Sequence, residues 1–431
     1  MTEYKIVKWK NYGFINPKLD PDSGIALTLD EYLQYERQGK QFMANPQWAT
    51  VHLYSRKKSM FPWGLLKTVK KVMDKYCTIH QHIYTIEYTP EICEMENIPD
   101  LRPYQLEAVA ALLKHNGGIL CLPTGSGKTI TLIKYLKLMN LKSLVIVGTI
   151  DIRKQWQDHG LENVTVSTYQ NPKLKNEMEQ YEIIVFDECH HVSAKSLYTL
   201  AMKVKTTAIL IGCSATTKRE DGEDMRITAA LGEVVYEKSR RELIIEGWIA
   251  NAKVFYLRPT FTADGEYTDY QEVYLTQIVH NAHRNKLVKD AALKEAALGR
   301  KILILVSYIE HGEILYELIN GLYKTIFMNG KSKDRDQDMS VYDIIIATPI
   351  YDEGYNLPSL DCLILAAGGK SEIRVIQRVG RILRPKPDGR LAHIYDFQDS
   401  IKYIKGHYLK RRRLLEEEFE VVDDQDTLVG G

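Results

Sequence analysis

Residues 122–129 read Leu-Pro-Thr-Gly-Ser-Gly-Lys-Thr. The apolar run Gly117–Cys121 precedes them, and apolar residues at helical spacing follow from Ile130 to Asn140. A strand, a glycine loop and a helix in that order frame a phosphate cradle, because loop N–H groups and the helix N-terminus point at anionic oxygens. Gly125 and Gly127 let the backbone come close, and Pro123, Thr124 and Ser126 complete the loop. Lys128 is placed to reach the β- and γ-phosphates of ATP, and the Thr129 hydroxyl to hold Mg²⁺. The pattern G-x-x-x-x-G-K-[ST] is incomplete, since Leu122 stands at its first glycine. The bland alternative is a glycine turn before a lysine. The flanking strand and helix favour nucleotide binding.

A second group of chemical residues follows the uninterrupted apolar strand Ile183–Phe186: Asp187-Glu-Cys-His-His191. Adjacent carboxylates behind a buried strand are costly unless something uses them. Asp187 is expected to hold Mg²⁺ beside Thr129, and Glu188 to orient and deprotonate the attacking water. A metal site built on His190 and His191 is the competing reading, disfavoured because adjacent side chains diverge and no third ligand sits at helical spacing. His190, with Ser214 and Thr216 at the end of the strand 208–216, is expected to couple the phosphate site to whatever moves. About twenty residues before the loop, Arg102-Pro-Tyr-Gln105 opens a helix. Arg102 and Gln105 are candidates to read the adenine edge, since a glutamine amide donates and accepts together.

These groups need a scaffold. The chain has 431 residues, enough for two or three domains, and its hydrophobic content of 45% supports real cores. Buried strands at Leu144–Val147, 166–170, 183–186 and 208–216 alternate with helices, as do later ones at 301–308, 342–348 and 361–366. That alternation predicts parallel, doubly wound sheets. Net charge is only +1, so any nucleic-acid surface must be local. The six cysteines are scattered without a C-x-x-C pair, which fits reduced thiols. No apolar core of a signal peptide and no membrane-length run is present, so the expected location is the cytoplasm, or a host cytoplasm for a viral chain.

Residues 1–98 differ in character. Arg56, Lys57 and Lys58 lie in a turn, Phe61 and Trp63 follow, and Gly64–Lys75 reads as a lysine-rich helix. Lysines grip phosphates and aromatics stack on bases, so these five residues are candidate DNA contacts; a solvated basic helix over an ordinary aromatic core is the alternative. Removing residues 1–90 is then expected to weaken fork binding more than basal ATPase. Arg153, Thr168 and Tyr169, just beyond strand ends in the first sheet, are further candidates for a nucleic-acid backbone, against a reading as ordinary helix and turn residues. From Tyr408 the chain reads as a charged helix packing back on the core, with Arg411-Arg-Arg413 on a solvated face and DNA contact by them as the alternative.

The ordered set Arg102-Pro-Tyr-Gln105, Leu122–Thr129, Ser167-Thr-Tyr169, Asp187-Glu-Cys-His190 and Ser214-Ala-Thr216 resembles the DExH-type superfamily 2 helicases, most of all the XPB-like branch and the phage branch-migration helicases. Arg219-Glu-Asp221 resembles the charged triplet of XPB-like proteins, and Arg219 joins the candidate DNA contacts. Gln377-Arg-Val-Gly-Arg-Ile-Leu-Arg384 matches the helicase pattern Q-x-x-G-R-x-x-R. The resemblance implies two tandem RecA-like doubly wound parallel-sheet domains, at 99–245 and 246–408. A small α+β accessory DNA-binding domain at 1–98 and a charged tail at 409–431 complete the organisation. It implies that Arg381 and Arg384 stabilise γ-phosphate charge and that Gln377 orders the attacking water or senses the γ-phosphate. Gly354 and Asn356 fall where helicases usually carry Gly-x-Asp against the ribose, so this chain departs from the pattern at Asn356. ATP and Mg²⁺ are the implied cofactors. Forked or branched DNA is the implied partner of a monomer, with 3′-to-5′ unwinding or branch migration in replication, recombination or repair. A duplex translocase without strand separation and an ATP-switched DNA clamp are the alternatives.

Overall fold

The computed structural model describes residues 3–37, 45, 49–76, 78–82, 101–215, 223–249, 251–261, 269–329, 338–348, 360–368, 390–401 and 403–422. Of the candidate residues, Thr216, Arg219, Gly354, Asn356, Gln377, Arg381 and Arg384 lie outside them. The chain divides into two compact units, residues 1–122 with 127–238, and residues 123–126 with 239–431. Ser239 opens the second stretch by capping the helix Arg240–Ile245, with Glu242 closing the capping box.

The first unit holds two sheets. In the N-terminal one, β1 (Glu3–Trp9) pairs antiparallel with β2 (Tyr12–Asn16). The short hairpin β3 (Gln34–Glu36) and β4 (Thr50–His52) follows. β5 (Met60–Pro62) and β6 (Thr78–His82) complete the order β5-β2-β1-β6. The second sheet is built from β7 (Gly118–Cys121), β8 (Ser143–Val147), β9 (Val164–Thr168), β10 (Ile183–Asp187), β11 (Ile209–Ser214) and β12 (Val234–Glu237). Its order is β12-β7-β11-β10-β8-β9, parallel throughout. β7, β8, β10 and β11 are near-continuous Ile, Leu and Val because helices cover both faces of such a sheet. Their C-terminal ends carry the glycine loop, Asp187 and Ser214 to one edge.

The N-terminal sheet and this second sheet share a core. Ala229, with Tyr198 and Met225 packed against it, joins the cluster of Ile6, Ile15, Phe61 and Val69. Buried Asn11 donates through Nδ2 to the carbonyls of Ala201, at 3.0 Å, and Ala230, at 2.7 Å. Gly64 lies so close to the helix Asp224–Leu231 that a Cβ would stand 2.0 Å from the Thr228 carbonyl oxygen. Arg37 Nε bonds Glu223 at 3.0 Å, and Arg226 Nη1 bonds both Glu223, at 3.0 Å, and the Ser193 carbonyl, at 2.6 Å.

The second unit is one parallel sheet of β13 (Ala252–Leu257), β14 (Ile302–Leu305), β15 (Thr325–Met328), β16 (Ile344–Ala347), β17 (Cys362–Ile364), β18 (Ala392–Phe397) and β19 (Glu420–Val422). Its order is β15-β16-β14-β17-β18-β13-β19. The two α/β sheets are the doubly wound parallel architecture expected. The charged tail is part of this unit. The helix Lys405–Glu418 carries Arg411 into the interior, where it bonds Asp396 and Asp399, and β19 adds to the sheet edge. Arg411 is therefore neither a solvated residue nor a DNA contact. Its carboxylate partners, Asp396 at the end of β18 and Asp399 just beyond it, can be buried only if a cation meets them. Arg284, fully buried, also pairs with Asp399 and lies over the Phe397 ring.

Buried His311 gives this unit a pH dependence. Its Nε2 meets Asn285 Oδ1 at 2.9 Å and its Nδ1 has no hydrogen-bond partner. Burial first, then the Arg284 and His280 charges, lower its pKa from 6.5 to about 3. The unfolded chain takes up a proton below pH 6.5 while the folded one does not until near pH 3. The stabilising contribution is thus complete above 6.5 and declines by about 1.4 kcal/mol per pH unit below it. Denaturant unfolding at pH 6.5 and 5 is expected to lose about 2 kcal/mol more in the wild type than in His311→Gln. Equal losses would contradict a neutral buried His311. Cys121, Cys189, Cys213 and Cys362 are buried and form no disulfide, and among the described residues no helix is long and apolar enough to cross a membrane.

Candidate functional site

The glycine loop leaves β7 at Leu122, whose N–H bonds the Ser214 carbonyl at 3.0 Å and ties the loop to the end of β11. Gly125 and Gly127 have φ of +88° and +80°, in the left-handed region where a side chain strains the backbone. Gly127 then caps the helix Lys128–Met139. A Cβ there would stand 2.6 Å from Gln105 Nε2. Gln105 is itself buried. Its Oε1 accepts from the Arg102 N–H at 2.9 Å and its Nε2 donates to the Gly127 carbonyl at 3.4 Å. Gln105 thus braces its own helix and the loop, while Arg102 Nη1 reaches the Tyr104 hydroxyl at 3.2 Å.

Lys128 Nζ donates to the Leu122 carbonyl at 3.3 Å and lies 4.0 Å from Glu188 Oε1. Glu188 stands just past β10 with φ +52°, a conformation costing a non-glycine residue about 1 kcal/mol. Its surroundings hold it there. Ser214 Oγ donates to Glu188 Oε2 at 3.3 Å, and His190 Nδ1 lies 3.3 Å from the same oxygen and 3.2 Å from Ser214 Oγ. Burial opposes ionisation of Glu188, but the Lys128 ammonium and then the His190 hydrogen bond outweigh it, so its pKa falls below the usual carboxylate range. Burial likewise opposes the Lys128 charge, and Glu188, backed by Cys213 and Asp187, outweighs that and raises its pKa.

Asp187 differs. Burial first, and the Glu188 charge second, push its carboxyl above the usual range, and Lys128 only partly offsets them. Its Oδ1 accepts from the Glu188 N–H at 3.1 Å and its Oδ2 from Trp156 Nε1 at 3.3 Å. The lysine is committed to Glu188, so Asp187 is a carboxylate short of a cation. With the Thr129 hydroxyl at the first turn of the next helix, that donor set fits a hard, oxygen-liganded ion such as Mg²⁺. Among the described residues no three His, Cys, Asp or Glu side chains gather to hold a metal. His190 instead meets Glu188 and Ser214.

The candidate DNA contacts fare unevenly. Phe61 is fully buried in the N-terminal core, within 2.4 Å of where a Gly13 Cβ would sit, so it is not a base-stacking residue. Arg56, partly exposed, pairs with Asp30, at 3.3 Å, and Asp22, at 3.8 Å. Trp63 is half-buried, with Lys8 Nζ 5.3 Å above its ring, in a cleft of about 340 Å³ at the seam with the second sheet. Lys57 and Lys58 are exposed. Tyr169 is packed against the core of the second sheet, its ring 5.5 Å from that of His191, which lies 4.2 Å from His190. Thr168 and Arg153 are half-buried, and Arg153 Nε is buried without a hydrogen-bond partner. The residue that sequence reasoning passed over is Trp156. Its only signal is an aromatic in an otherwise charged helix turn, Arg-Lys-Gln-Trp-Gln.

Residues 98–172 and 160–219 match the family of the type III restriction enzyme res subunit. Residues 283–386 match the helicase conserved C-terminal domain. Among curated proteins the chain is similar to the DNA 3′-5′ translocase XPB2 of Sulfurisphaera tokodaii, at 25% identity across 74% of this chain and 89% of that one. It is also similar to the ATP-dependent DNA helicase uvsW of Enterobacteria phage T4, at 23% identity across 96% of this chain and 98% of that one. A fragment of an HsdR subunit of a type I restriction enzyme from Vibrio vulnificus shares the fold, with a TM-score of 0.56 at 17% identity over 83% of this chain and 74% of that one.

Proposed function

We propose that this chain, which belongs to the DExH-type superfamily 2 helicases, is an ATP-driven DNA motor that unwinds or branch-migrates forked DNA in the 3′-to-5′ direction. One observation carries the reading. Lys128, Glu188, His190 and Ser214 form a single connected group at the edge of a parallel sheet, beside a loop whose glycines admit phosphate. Lys128 and the loop N–H groups would hold the β- and γ-phosphates, and Gln105 and Arg102 the base. Thr129 and Asp187 would hold Mg²⁺, which neutralises charge on those phosphates. Glu188, kept ionised by Lys128 and aimed by His190 and Ser214, would accept the proton of the attacking water. Gln377, Arg381 and Arg384, with Gly354 and Asn356, complete the reading from sequence. The protein would work as a monomer in the cytoplasm, in replication, recombination or repair.

ATPase assays with and without forked DNA test this. The expected result is DNA-stimulated turnover, with strand separation in a parallel assay. Absence of stimulation would sink the motor reading. Protein displacement without strand separation would turn the assignment to a duplex translocase.

On the N-terminal surface the exposed Lys57 and Lys58 remain as phosphate contacts. The double variant Lys57→Glu, Lys58→Glu is expected to weaken fork binding about 10-fold at low salt and to lower the salt slope by roughly 2, without altering basal ATPase. Fork titrations at several salt concentrations measure both quantities. An unchanged slope would remove these lysines from the DNA path.

A further inference from the structure

We propose that Trp156 is a positioning residue of the ATPase, which fixes the Asp187 carboxylate and links it to the helix expected to meet DNA. This rests on the reading of Asp187 as an Mg²⁺ ligand. The helix Ile150–Gln157 begins at Thr149, whose side chain accepts from the Ile152 N–H. On its surface Arg153 and Trp156, three residues apart, are neighbours. Trp156 is 1% exposed, yet its indole carries a polar N–H that must find an acceptor when buried. That acceptor is Asp187 Oδ2, at 3.3 Å.

The consequences concern both ends of the contact. At Asp187, the Glu188 N–H occupies one oxygen and the indole the other, which sets the rotation of the carboxylate and leaves its remaining lone pairs for a cation. Partners of this kind orient ligating carboxylates and tune metal affinity. At the other end, Arg153 has a buried Nε with no protein acceptor. The Nε itself is out of reach of DNA, so a phosphate would have to meet the remainder of this half-buried guanidinium. Any rotation of the helix that such a contact produced would move the indole with it, one side chain away from the metal ligand.

The test replaces Trp156 with 3-benzothienylalanine, in which sulfur stands where the N–H was and ring shape is kept. Trp156→Phe is a second variant. Binding of ADP is measured by calorimetry in the presence and absence of Mg²⁺, together with basal and fork-stimulated kcat and thermal stability. The expected result is a roughly 10-fold smaller Mg²⁺ enhancement of ADP affinity, with Mg²⁺-free affinity and melting temperature near wild type. The ratio of fork-stimulated to basal kcat is expected to fall as well. Wild-type Mg²⁺ enhancement in the benzothienyl protein would overturn the assignment. A reduced enhancement with an unchanged stimulation ratio would overturn the link to DNA. Asp187→Asn, measured alongside, isolates the premise. If it too keeps wild-type enhancement, the Mg²⁺ assignment of Asp187 fails and takes the proposal with it. If it loses enhancement while the Trp156 variants keep theirs, the Trp156 role alone fails.

Discussion

Lys128→Ala is expected to lower fork-stimulated kcat by roughly 10³-fold, because two functions leave with one ammonium. The first is direct. A cation aimed at the phosphates stabilises charge as it shifts onto the leaving group, in a site largely closed to water where such contacts are strong. The second runs through Glu188. Burial disfavours its ionised form, and the lysine is the largest influence holding its pKa down. Without Lys128, Glu188 becomes easier to protonate, and a protonated carboxyl cannot accept the proton of the attacking water. The loss should therefore be partly recovered at higher pH, where Glu188 ionises again, whereas the direct loss persists. A pH series of ATPase rates for the variant separates the two contributions. Melting temperature should fall as well, since the buried Glu188 carboxylate loses the cation 4.0 Å away. Wild-type turnover in Lys128→Ala would end the assignment of this loop as an ATP site.

What could be read from residues alone divides along a physical line. The glycine loop, Asp187 and Glu188 were legible because their demands are local. A left-handed loop needs glycine at 125 and 127, and a carboxylate pair after an apolar strand has few uses. The parallel sheets were legible because strands buried on both faces are apolar without alternation. Phe61 and Arg411 were misread because residue type does not encode exposure. An aromatic between lysines can stack on a base or fill a core, and Phe61 fills one. An arginine in a basic run can meet solvent or two buried aspartates, and Arg411 meets Asp396 and Asp399. Trp156 was missed because its partner lies 31 residues away in sequence, and the indole N–H becomes informative only once its acceptor is known. Gln105 shows the intermediate case. Its nearness to the loop was legible from chain order, but its bracing of the Gly127 carbonyl was not.

Deleting residues 1–90 is expected to destabilise the whole first unit, not only to weaken fork binding as the sequence suggested. The N-terminal sheet does not hang from a linker. Ala229, Tyr198 and Met225 of the second-sheet region pack into its core and would be stripped to water. Each such side chain contributes up to about 1.5–3 kcal/mol when fully buried, less for the small Ala229. The Ala201 and Ala230 carbonyls would lose the Asn11 amide, at about 1 kcal/mol each. Together these losses reach several kcal/mol, against a total stability of about 5–15 kcal/mol for a typical domain. The deletion also cuts Arg37 away from Glu223, which partners the Arg226 that bonds the Ser193 carbonyl just after His190 and Glu188. Basal ATPase should therefore fall along with fork affinity. Gly64→Ala offers a gentler version of the same test. Its added Cβ would meet the Thr228 carbonyl at 2.0 Å and must push the two sheets apart without removing a single lysine. Thermal unfolding followed by circular dichroism, with basal ATPase in parallel, measures both variants. If Gly64→Ala melts as the wild type does and the deletion retains full basal ATPase, the seam contributes nothing to the motor's fold and residues 1–90 act as a detachable DNA-binding module.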